Sequence, residues 1–356
     1  MRTLVVVALL VAGCGHDAGT GLPSNAEREC ASCHVGHAAA FESSSHAHAS
    51  RSPVFQALLP RVEASWGAAA RARCVACHEP PHGEDAAITC VSCHAAVGDR
   101  GARDGRLVLD LEAPLMGPFA DARSPHATRT SGLLGSSELC ASCHEVSGPN
   151  LFVEHTGLEH ASAVAATNAS ECASCHVAAI DEGPVAIGGV TRARHDHRFV
   201  GVDPAWGATP DPQQARNEAA AALMASALEL RFASGALELE NVGAAHAVPT
   251  GVAFLRDVWV DLDVTHADGT IEHRARVIEL GDRPMRGVVA VALPTDADAI
   301  DERRLQPFEV RRVPLPGGTI AARATLHVRA FREDALVALG VDGSQVPVID
   351  VVSITL

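Results

Sequence analysis

A five-residue signature with two cysteines and one histidine, C-x-x-C-H, occurs five times between residues 30 and 176. Two thiols at this spacing, with a histidine directly after the second, are typical of the covalent attachment of a c-type haem. The thiols form thioethers with the haem, and the histidine supplies one axial ligand to the iron. The predicted attachment pairs and proximal histidines are Cys30, Cys33 and His34; Cys74, Cys77 and His78; Cys90, Cys93 and His94; Cys140, Cys143 and His144; and Cys172, Cys175 and His176.

The same cysteine pairs could also form half of a zinc site or an exported redox dithiol. Neither of these requires a histidine directly after the second cysteine, yet all five copies have one. Ten of the 11 cysteines lie in the motifs, so Cys14 alone remains outside them and no pair is left for a disulfide framework. The sequence therefore predicts five covalently bound c-type haems, each with an iron.

The composition indicates which kinds of molecule the protein is unsuited to bind. The formal net charge is −15 and the 28 basic residues are all arginines. Because nucleic acids and anionic lipids are bound by basic surfaces, this balance argues against both as partners. No catalytic side-chain constellation is visible outside the motifs, so we predict no catalytic residue.

The N-terminus has the pattern of an export signal. Met1 and Arg2 form a short positive start, and residues 4–12 form an apolar run too short to span a bilayer. The run ends in V-A-G-C, which resembles a bacterial lipobox and implies cleavage before Cys14 and lipidation of its thiol; an ordinary signal peptide is the alternative. We expect a signal peptide over residues 1–13, a lipidated cysteine and flexible tether over residues 14–29, and attachment to the membrane by lipid alone. Export to the periplasmic side or the outer membrane follows, and Gly15 favours the outer membrane.

Residues 30–206 lack a sustained hydrophobic period, and only residues 35–44 and 53–72 favour helices. We therefore expect an irregular, mainly α pentahaem domain with little regular structure, in which haem packing sets the fold. The motifs that start at Cys74 and Cys90 are close in sequence and predict two neighbouring haems.

Each iron has a sixth coordination position, and the histidines outside the motifs are candidates for it. A second histidine gives a low-spin iron suited to electron transfer, whereas an open position suits ligand binding or catalysis. The alternative for each candidate is a surface or hydrogen-bonded histidine. The candidates are His46, His126, His195, His197 and His246, with His37, His48, His82, His155 and His160 as reserves.

The C-terminal third has a different pattern. Asp211 and Pro212 favour the start of a helix that connects the two parts of the chain over residues 207–227. Short runs rich in Val, Leu and Thr follow, separated by turn residues, and predict an antiparallel β-sandwich domain over residues 228–356. The predicted strands cover residues 228–233, 236–242, 258–265, 271–280, 288–293, 308–313, 325–331 and 346–355.

Three segments resemble exported multihaem cytochromes related to hydroxylamine oxidoreductase: C-A-S-C-H-V-G-H-A-A-A-F-E-S-S-S-H-A from Cys30, H-D-H-R-F from His195, and N-V-G-A-A-H-A-V-P-T-G from Asn241. The last two resemble members that end in a β-domain. The resemblance implies that His46, His195, His197 and His246 are axial ligands, and extends to His126 by a weaker match. As a ligand, His246 would attach the β-domain to the haem region. The family usually has Tyr or Trp on the first helix, where this chain has His37 or Phe41.

Two functions remain open. The first is electron transfer through mostly bis-histidine haems, between redox partner proteins or quinol-linked donors and an acceptor. The second is a reductase or oxidase of a small nitrogen or sulfur compound with one open iron. The chain has no Lys and no Tyr, which excludes the C-x-x-C-K haem of pentahaem nitrite reductases and the haem–tyrosine crosslink of hydroxylamine oxidoreductases. A docking role for the β-domain is compatible with the first function.

Overall fold

The computed structural model describes residues 26–82, 85–99, 104–105, 107–148, 151–208 and 212–356. The predicted signal peptide, the predicted lipidation site Cys14 and most of the tether lie outside these residues. Within the described ranges, none of the helices combines the length and the apolar character that a membrane span needs.

Short helices carry the motifs. Every C-x-x-C-H copy overlaps a short helix, either wholly or in part. The two thiols of each motif are therefore held close together by the local backbone. The helices are α1 (Ala26–Cys33), α2 (Val35–Glu42), α3 (Pro53–Trp66), α4 (Ala68–His78), α5 (Cys90–His94), α6 (Gly132–Gly135), α7 (Ser137–Ala141), α8 (Thr156–Thr167), α9 (Cys172–His176), α10 (Gln213–Ala227) and α11 (Glu333–Leu339).

The run predicted as one helix over residues 53–72 is two helices, α3 and α4. Ser52 caps α3, because its Oγ accepts a hydrogen bond from the backbone N–H of Phe55 at 3.4 Å, and Pro53 occupies the first turn. Gly67, with φ of 88°, ends α3 in a conformation that favours glycine. One face of α3 is buried through Val54, Phe55, Leu58, Leu59 and Val62.

Small two-stranded sheets connect the motif helices. Among the described residues, four of the five pairs are antiparallel and one is parallel, and the hairpin over residues 179–195 was not predicted from the sequence. The strands of these pairs are β1 (Pro81–His82), β2 (Asp85–Ala86), β3 (Ala96–Asp99), β4 (Leu107–Leu109), β5 (Leu115–Gly117), β6 (Thr128–Thr130), β7 (Val146–Ser147), β8 (Val153–Glu154), β9 (Ala179–Pro184) and β10 (Thr191–His195).

The C-terminal part is built from antiparallel sheets. A three-stranded sheet has the order β11-β12-β18, a four-stranded sheet has the order β14-β13-β19-β20, and a smaller one has the order β16-β15-β17. The strands are β11 (Leu228–Ala233), β12 (Ala236–Asn241), β13 (Asp257–His266), β14 (Ile271–Leu280), β15 (Arg283–Arg286), β16 (Val289–Ala290), β17 (Ala299–Asp301), β18 (Val310–Pro314), β19 (Thr319–Arg329) and β20 (Ile349–Thr355).

The larger two sheets share one hydrophobic core. Leu237 and Leu239 of β12 and Val260 and Leu262 of β13 have no exposed surface, and Leu326 of β19 is equally buried in the same cluster. Burying such a side chain contributes about 1.5–3 kcal/mol each. Side-chain packing between sheets therefore stabilises this part of the chain.

The strand predicted over residues 288–293 is wrong in extent. The chain instead forms β15, the two-residue β16 and β17, three short strands whose turns are set by Gly287, with φ of 60°, and by the turn at Pro294. Val288 is 94% exposed and Val289 is 62% exposed. The first part of the predicted strand thus faces solvent, whereas Leu293 at its end is fully buried.

Candidate functional site

A cavity of about 2660 Å³ lies among the motif helices. A site for one drug-sized ligand usually measures roughly 300–1,000 Å³, so this cavity has room for several large groups. All ten motif cysteines, all five motif histidines and the five other predicted ligands, His46, His126, His195, His197 and His246, line it. The structure therefore brings every predicted attachment and ligand residue to one interior space.

The five motif histidines are all oriented in the same way. Each Nδ1 is hydrogen-bonded to an oxygen that only accepts, so Nδ1 carries the proton and Nε2 has the lone pair that a metal needs. The pairs are His34 to the carbonyl of Val185 at 2.7 Å, His78 to Ala49 at 3.2 Å, His94 to Met116 at 2.7 Å, His176 to Val200 at 2.7 Å, and His144 to the Glu154 carboxylate at 2.8 Å. This donor set fits a proximal haem ligand at all five motifs.

Four motif histidines stand opposite a second histidine. An imidazole centre lies roughly 1.1 Å behind the binding nitrogen and a metal–nitrogen bond is about 2.0–2.1 Å, so two imidazoles on one metal ion place their centres roughly 6.2–6.4 Å apart. The observed separations are close to this range. They are 6.3 Å for His34 and His126, 6.1 Å for His144 and His46, 6.4 Å for His94 and His197, and 6.4 Å for His176 and His246. The reserve candidate His37 also lies at this separation from His34, at 6.1 Å.

Three of these four opposing histidines also use Nδ1 for a backbone carbonyl. His197 donates to the carbonyl of His195 at 2.9 Å, His246 to that of Ala247 at 2.9 Å, and His126 to that of Ala127 at 3.4 Å. The Nδ1 of His46 is buried and has no hydrogen-bond partner among the described residues. Its ring instead packs edge-on against Phe199, with the centroids 4.6 Å apart.

His195 has the same Nδ1 hydrogen bond to a backbone carbonyl as the paired histidines, but its ring does not stand opposite a motif histidine. Its Nδ1 donates to the carbonyl of Val177 at 2.9 Å, and its ring lines the cavity. Within the part of the chain that the structure describes, no imidazole stands opposite it at the 6.1–6.4 Å seen for the four pairs. Its predicted role as an axial ligand stays a prediction.

His78 has a different neighbour from the other motif histidines. The Phe55 ring stacks on its imidazole face, with the centroids 4.1 Å apart and the planes 4° from parallel. None of the described histidine rings lies opposite His78 at the separation of the four pairs. His82, a reserve candidate in the following loop, has a side chain outside the described residues.

Burial and charge tune the imidazoles. Burial, and then the neighbouring His144, lowers the pKa of His46 to about 3. Burial also lowers the pKa of His78, His94, His197 and His246. A metal binds the neutral imidazole, so these environments favour the form that acts as a ligand.

His144 has the opposite shift. Burial disfavours its protonated form, but the hydrogen bond and the charge of Glu154 outweigh this and raise the pKa to about 9. Glu154 is 11% exposed, so its charge is only weakly screened. A carboxylate acceptor increases the basicity of a metal-bound imidazole more than a carbonyl does.

The loop of His246 is fixed from both sides. The Oε2 of Glu159, in α8, accepts a hydrogen bond from the N–H of Ala247 at 3.0 Å, and its Oε1 pairs with Arg304. Asn241, fully buried, donates through Nδ2 to the carbonyl of His246 at 3.0 Å. The sequence did not single out Glu159 or Arg304. Asn241 could have been found, because it opens the segment that contains His246.

The described residues do not support a zinc site. Among them, no group of three or more His, Cys, Asp or Glu side chains converges as metal ligands. A structural zinc site needs four such ligands around one ion.

No protein-family model matches this chain, and no curated protein matches it. Its fold is similar to the crystal structure of a penta-heme cytochrome c552 from Thermochromatium tepidum. The TM-score is 0.64, the sequences are 17% identical, and the match covers 92% of this chain and 97% of that chain. At this identity the likeness shows the fold, and it includes both the motif region and the C-terminal sheets.

Proposed function

We propose that this chain is an exported multihaem c-type cytochrome that transfers electrons through five haems, most of them held by two histidines. The observation that carries the proposal is the set of four opposing imidazole pairs in one cavity that all ten motif cysteines line. Its fold likeness to a penta-heme cytochrome c552 supports the same function.

The residues have separate tasks in this proposal. The motif cysteines hold the haems covalently, and the histidine pairs hold the irons from both sides. Bound haems supply one-electron redox chemistry. The oxygen acceptors at Nδ1 fix each proximal ring, and burial favours the neutral imidazole by lowering the pKa of His46, His78, His94, His197 and His246. A histidine on each side would leave the bound group no position for a substrate, so it would supply electron transfer alone.

The proposal keeps the remaining sequence-based predictions. These are a signal peptide over residues 1–13, lipidation at Cys14, a lipid-anchored location on the periplasmic side or at the outer membrane, and redox proteins or quinol-linked donors as partners. The C-terminal sheets form the proposed β-sandwich domain over residues 228–356, with the shared core of Leu237 and Leu262 as support. His246 joins this domain to the fifth haem.

Mass spectrometry and optical spectroscopy of the purified mature protein test the proposal. We expect a mass increment for five haems and a spectrum dominated by low-spin iron, with little binding of carbon monoxide after reduction. Fewer than five haems, or a spectrum dominated by high-spin iron, would contradict it.

The surroundings of His78 favour a second candidate, a reductase or oxidase of a small nitrogen or sulfur compound with one open iron. The ring that packs against His78 is that of Phe55. His78 belongs to none of the four histidine pairs, so the haem of the second motif has no second histidine among the described residues. Under this alternative, about one fifth of the haem binds carbon monoxide. A His82→Ala variant separates the two: if His82 is the missing ligand, the variant gains a carbon monoxide-binding haem that the wild type lacks.

A further inference from the structure

Arg216 is a buried cation in α10, the helix between the motif region and the C-terminal sheets. It is 4% exposed, although arginine is almost never buried unless it is paired. Its guanidinium donates to three backbone carbonyls: Ser43 at 3.0 Å and Arg198 at 3.2 Å through Nη1, and Asp203 at 2.6 Å through Nη2. One side chain thus connects three segments that are far apart in sequence.

Two of these segments carry histidines that oppose motif histidines. Ser43 precedes His46 by three residues, and Arg198 directly follows His197. His46 stands 6.1 Å from His144, and His197 stands 6.4 Å from His94. Arg216 therefore connects the loops of the distal ligands proposed for the third and fourth motifs.

All three acceptors of Arg216 are neutral carbonyls, so its guanidinium has no hydrogen bond to a carboxylate among the described residues. The carboxylate of Asp203 is occupied by Arg256, through Nη1 at 2.5 Å and Nη2 at 2.8 Å. The nearby Arg198 is likewise paired with Asp196, through Nη2 at 2.6 Å. This cluster of three arginines and two carboxylates carries one net positive charge, and Arg216 is its most buried arginine, whereas Arg198 and Asp203 are partly exposed.

We propose that Arg216 is a shared positioning residue for the haems of the third and fourth motifs: it fixes the loops of His197 and His46 and supplies a buried positive charge beside both. The proposal rests on the ligation of these haems by His197 and His46 given under the proposed function. A positive charge near an iron favours its reduced state, so Arg216 raises the reduction potentials of both haems.

Arginine is suited to this role and lysine is not. The planar guanidinium presents five N–H donors in a fixed fork, which reaches three carbonyls at once. A lysine keeps the charge but offers one nitrogen on a flexible stem. Arg216→Lys therefore separates the loss of positioning from the loss of charge, and Arg216→Met removes both.

Arg332 is a matched control. It is also 4% exposed, and it donates to the carbonyls of Phe254 at 3.0 Å and Ala292 at 2.8 Å. Both acceptors lie in the C-terminal part of the chain and neither is next to a proposed ligand. Unlike Arg216, it also pairs with a carboxylate, that of Asp334, through Nη1 at 2.7 Å. Arg332→Met therefore removes an equally buried arginine without touching the loops of His46 and His197.

The test compares the haem-loaded variants by electron paramagnetic resonance and by potentiometric titration of each haem. In Arg216→Met we expect altered g-values and lower reduction potentials for two haems, with the others unchanged. Arg216→Lys is expected to alter the g-values of the same two haems with a smaller change in potential. Arg332→Met is expected to lower thermal stability and leave all haem signals as in the wild type.

His46→Met and His197→Met are measured in parallel and identify the signals of the two haems. If these variants change two signals while both Arg216 variants leave them unchanged, Arg216 has no positioning role and the ligation proposal stands. If the histidine variants change no signal, the ligation proposal itself fails. Equal changes in Arg216→Met and Arg332→Met also overturn the role of Arg216. If Arg216→Met does not fold, the g-values of Arg216→Lys decide the question.

Discussion

Replacing Glu154 with glutamine should raise the reduction potential chiefly of one haem, that of the fourth motif. Among the five motif histidines, only His144 donates its Nδ1 proton to a carboxylate in the described structure, at 2.8 Å from Glu154; the other four donate to backbone carbonyls. Glutamine has nearly the same shape and still accepts this hydrogen bond, so Glu154→Gln removes a negative charge with little change in geometry.

The size of the effect follows from the distance and the burial of the carboxylate. Across an imidazole ring and one metal–nitrogen bond, the Glu154 oxygen lies roughly 6–7 Å from the proposed iron. A unit charge at this distance contributes about 2.5 kcal/mol at an effective dielectric constant of about 20. This energy corresponds to about 110 mV for a one-electron couple, and residual solvent screening reduces it, so we expect a rise of roughly 50–110 mV.

Potentiometric titration followed by optical or paramagnetic resonance spectroscopy resolves this change. Asp263→Asn is the control, because Asp263 accepts from the Nδ1 of His273 at 2.7 Å in the same way, but on exposed strands of the C-terminal part. The potential of the fourth-motif haem should rise most in Glu154→Gln, with a smaller rise at the second motif, because the charge of Glu154 also acts on His78. No haem should change in Asp263→Asn. A uniform shift of all haems, or no shift in any, would refute the assignment of His144 as a carboxylate-tuned ligand.

Three further predictions address the ligands, the core and acid stability. His246→Met should raise the potential of one haem, since a Met/His pair raises haem potentials; titration with no change in any haem would remove His246 from the ligands. Leu262→Ala should lower the free energy of unfolding by about 2–5 kcal/mol, measured by denaturant titration, since the residue is fully buried; a smaller loss would mean that the two-sheet core is loosely packed. Burial opposes ionisation of Asp203, but Arg256 outweighs it and lowers the pKa of this carboxyl. The ionised Asp203 therefore stabilises the fold fully above the unfolded-state pKa of about 3.9, and this stabilisation is lost as the pH falls through the lower folded-state pKa. Asp203→Asn should be less stable at neutral pH and should lose less stability in acid. An unchanged dependence of stability on acid pH would contradict the pairing.

The attachment residues could be predicted from the sequence because their chemistry is local. Two thiols and an imidazole within five residues need only one turn of helix, as in α5 and α9. The strands of the C-terminal sheets were predictable for a related reason, since apolar and polar residues largely alternate along β11 and β13.

The pairing of ligands could not be read from the sequence. His94 faces His197 and His176 faces His246 because loops and sheets distant in sequence fold around one cavity. The supporting residues were also hidden. Arg216 stands in an alanine-rich helix with no motif, and its role follows only from the three carbonyls that the fold brings to it.

The spin state of the irons in the purified protein tests the central claim most directly. Low-temperature magnetic circular dichroism or paramagnetic resonance counts low-spin and high-spin haems separately. The four opposing imidazole pairs predict at least four low-spin haems of the bis-histidine type. Two or more high-spin haems in the fully loaded protein would contradict these pairs as axial ligands.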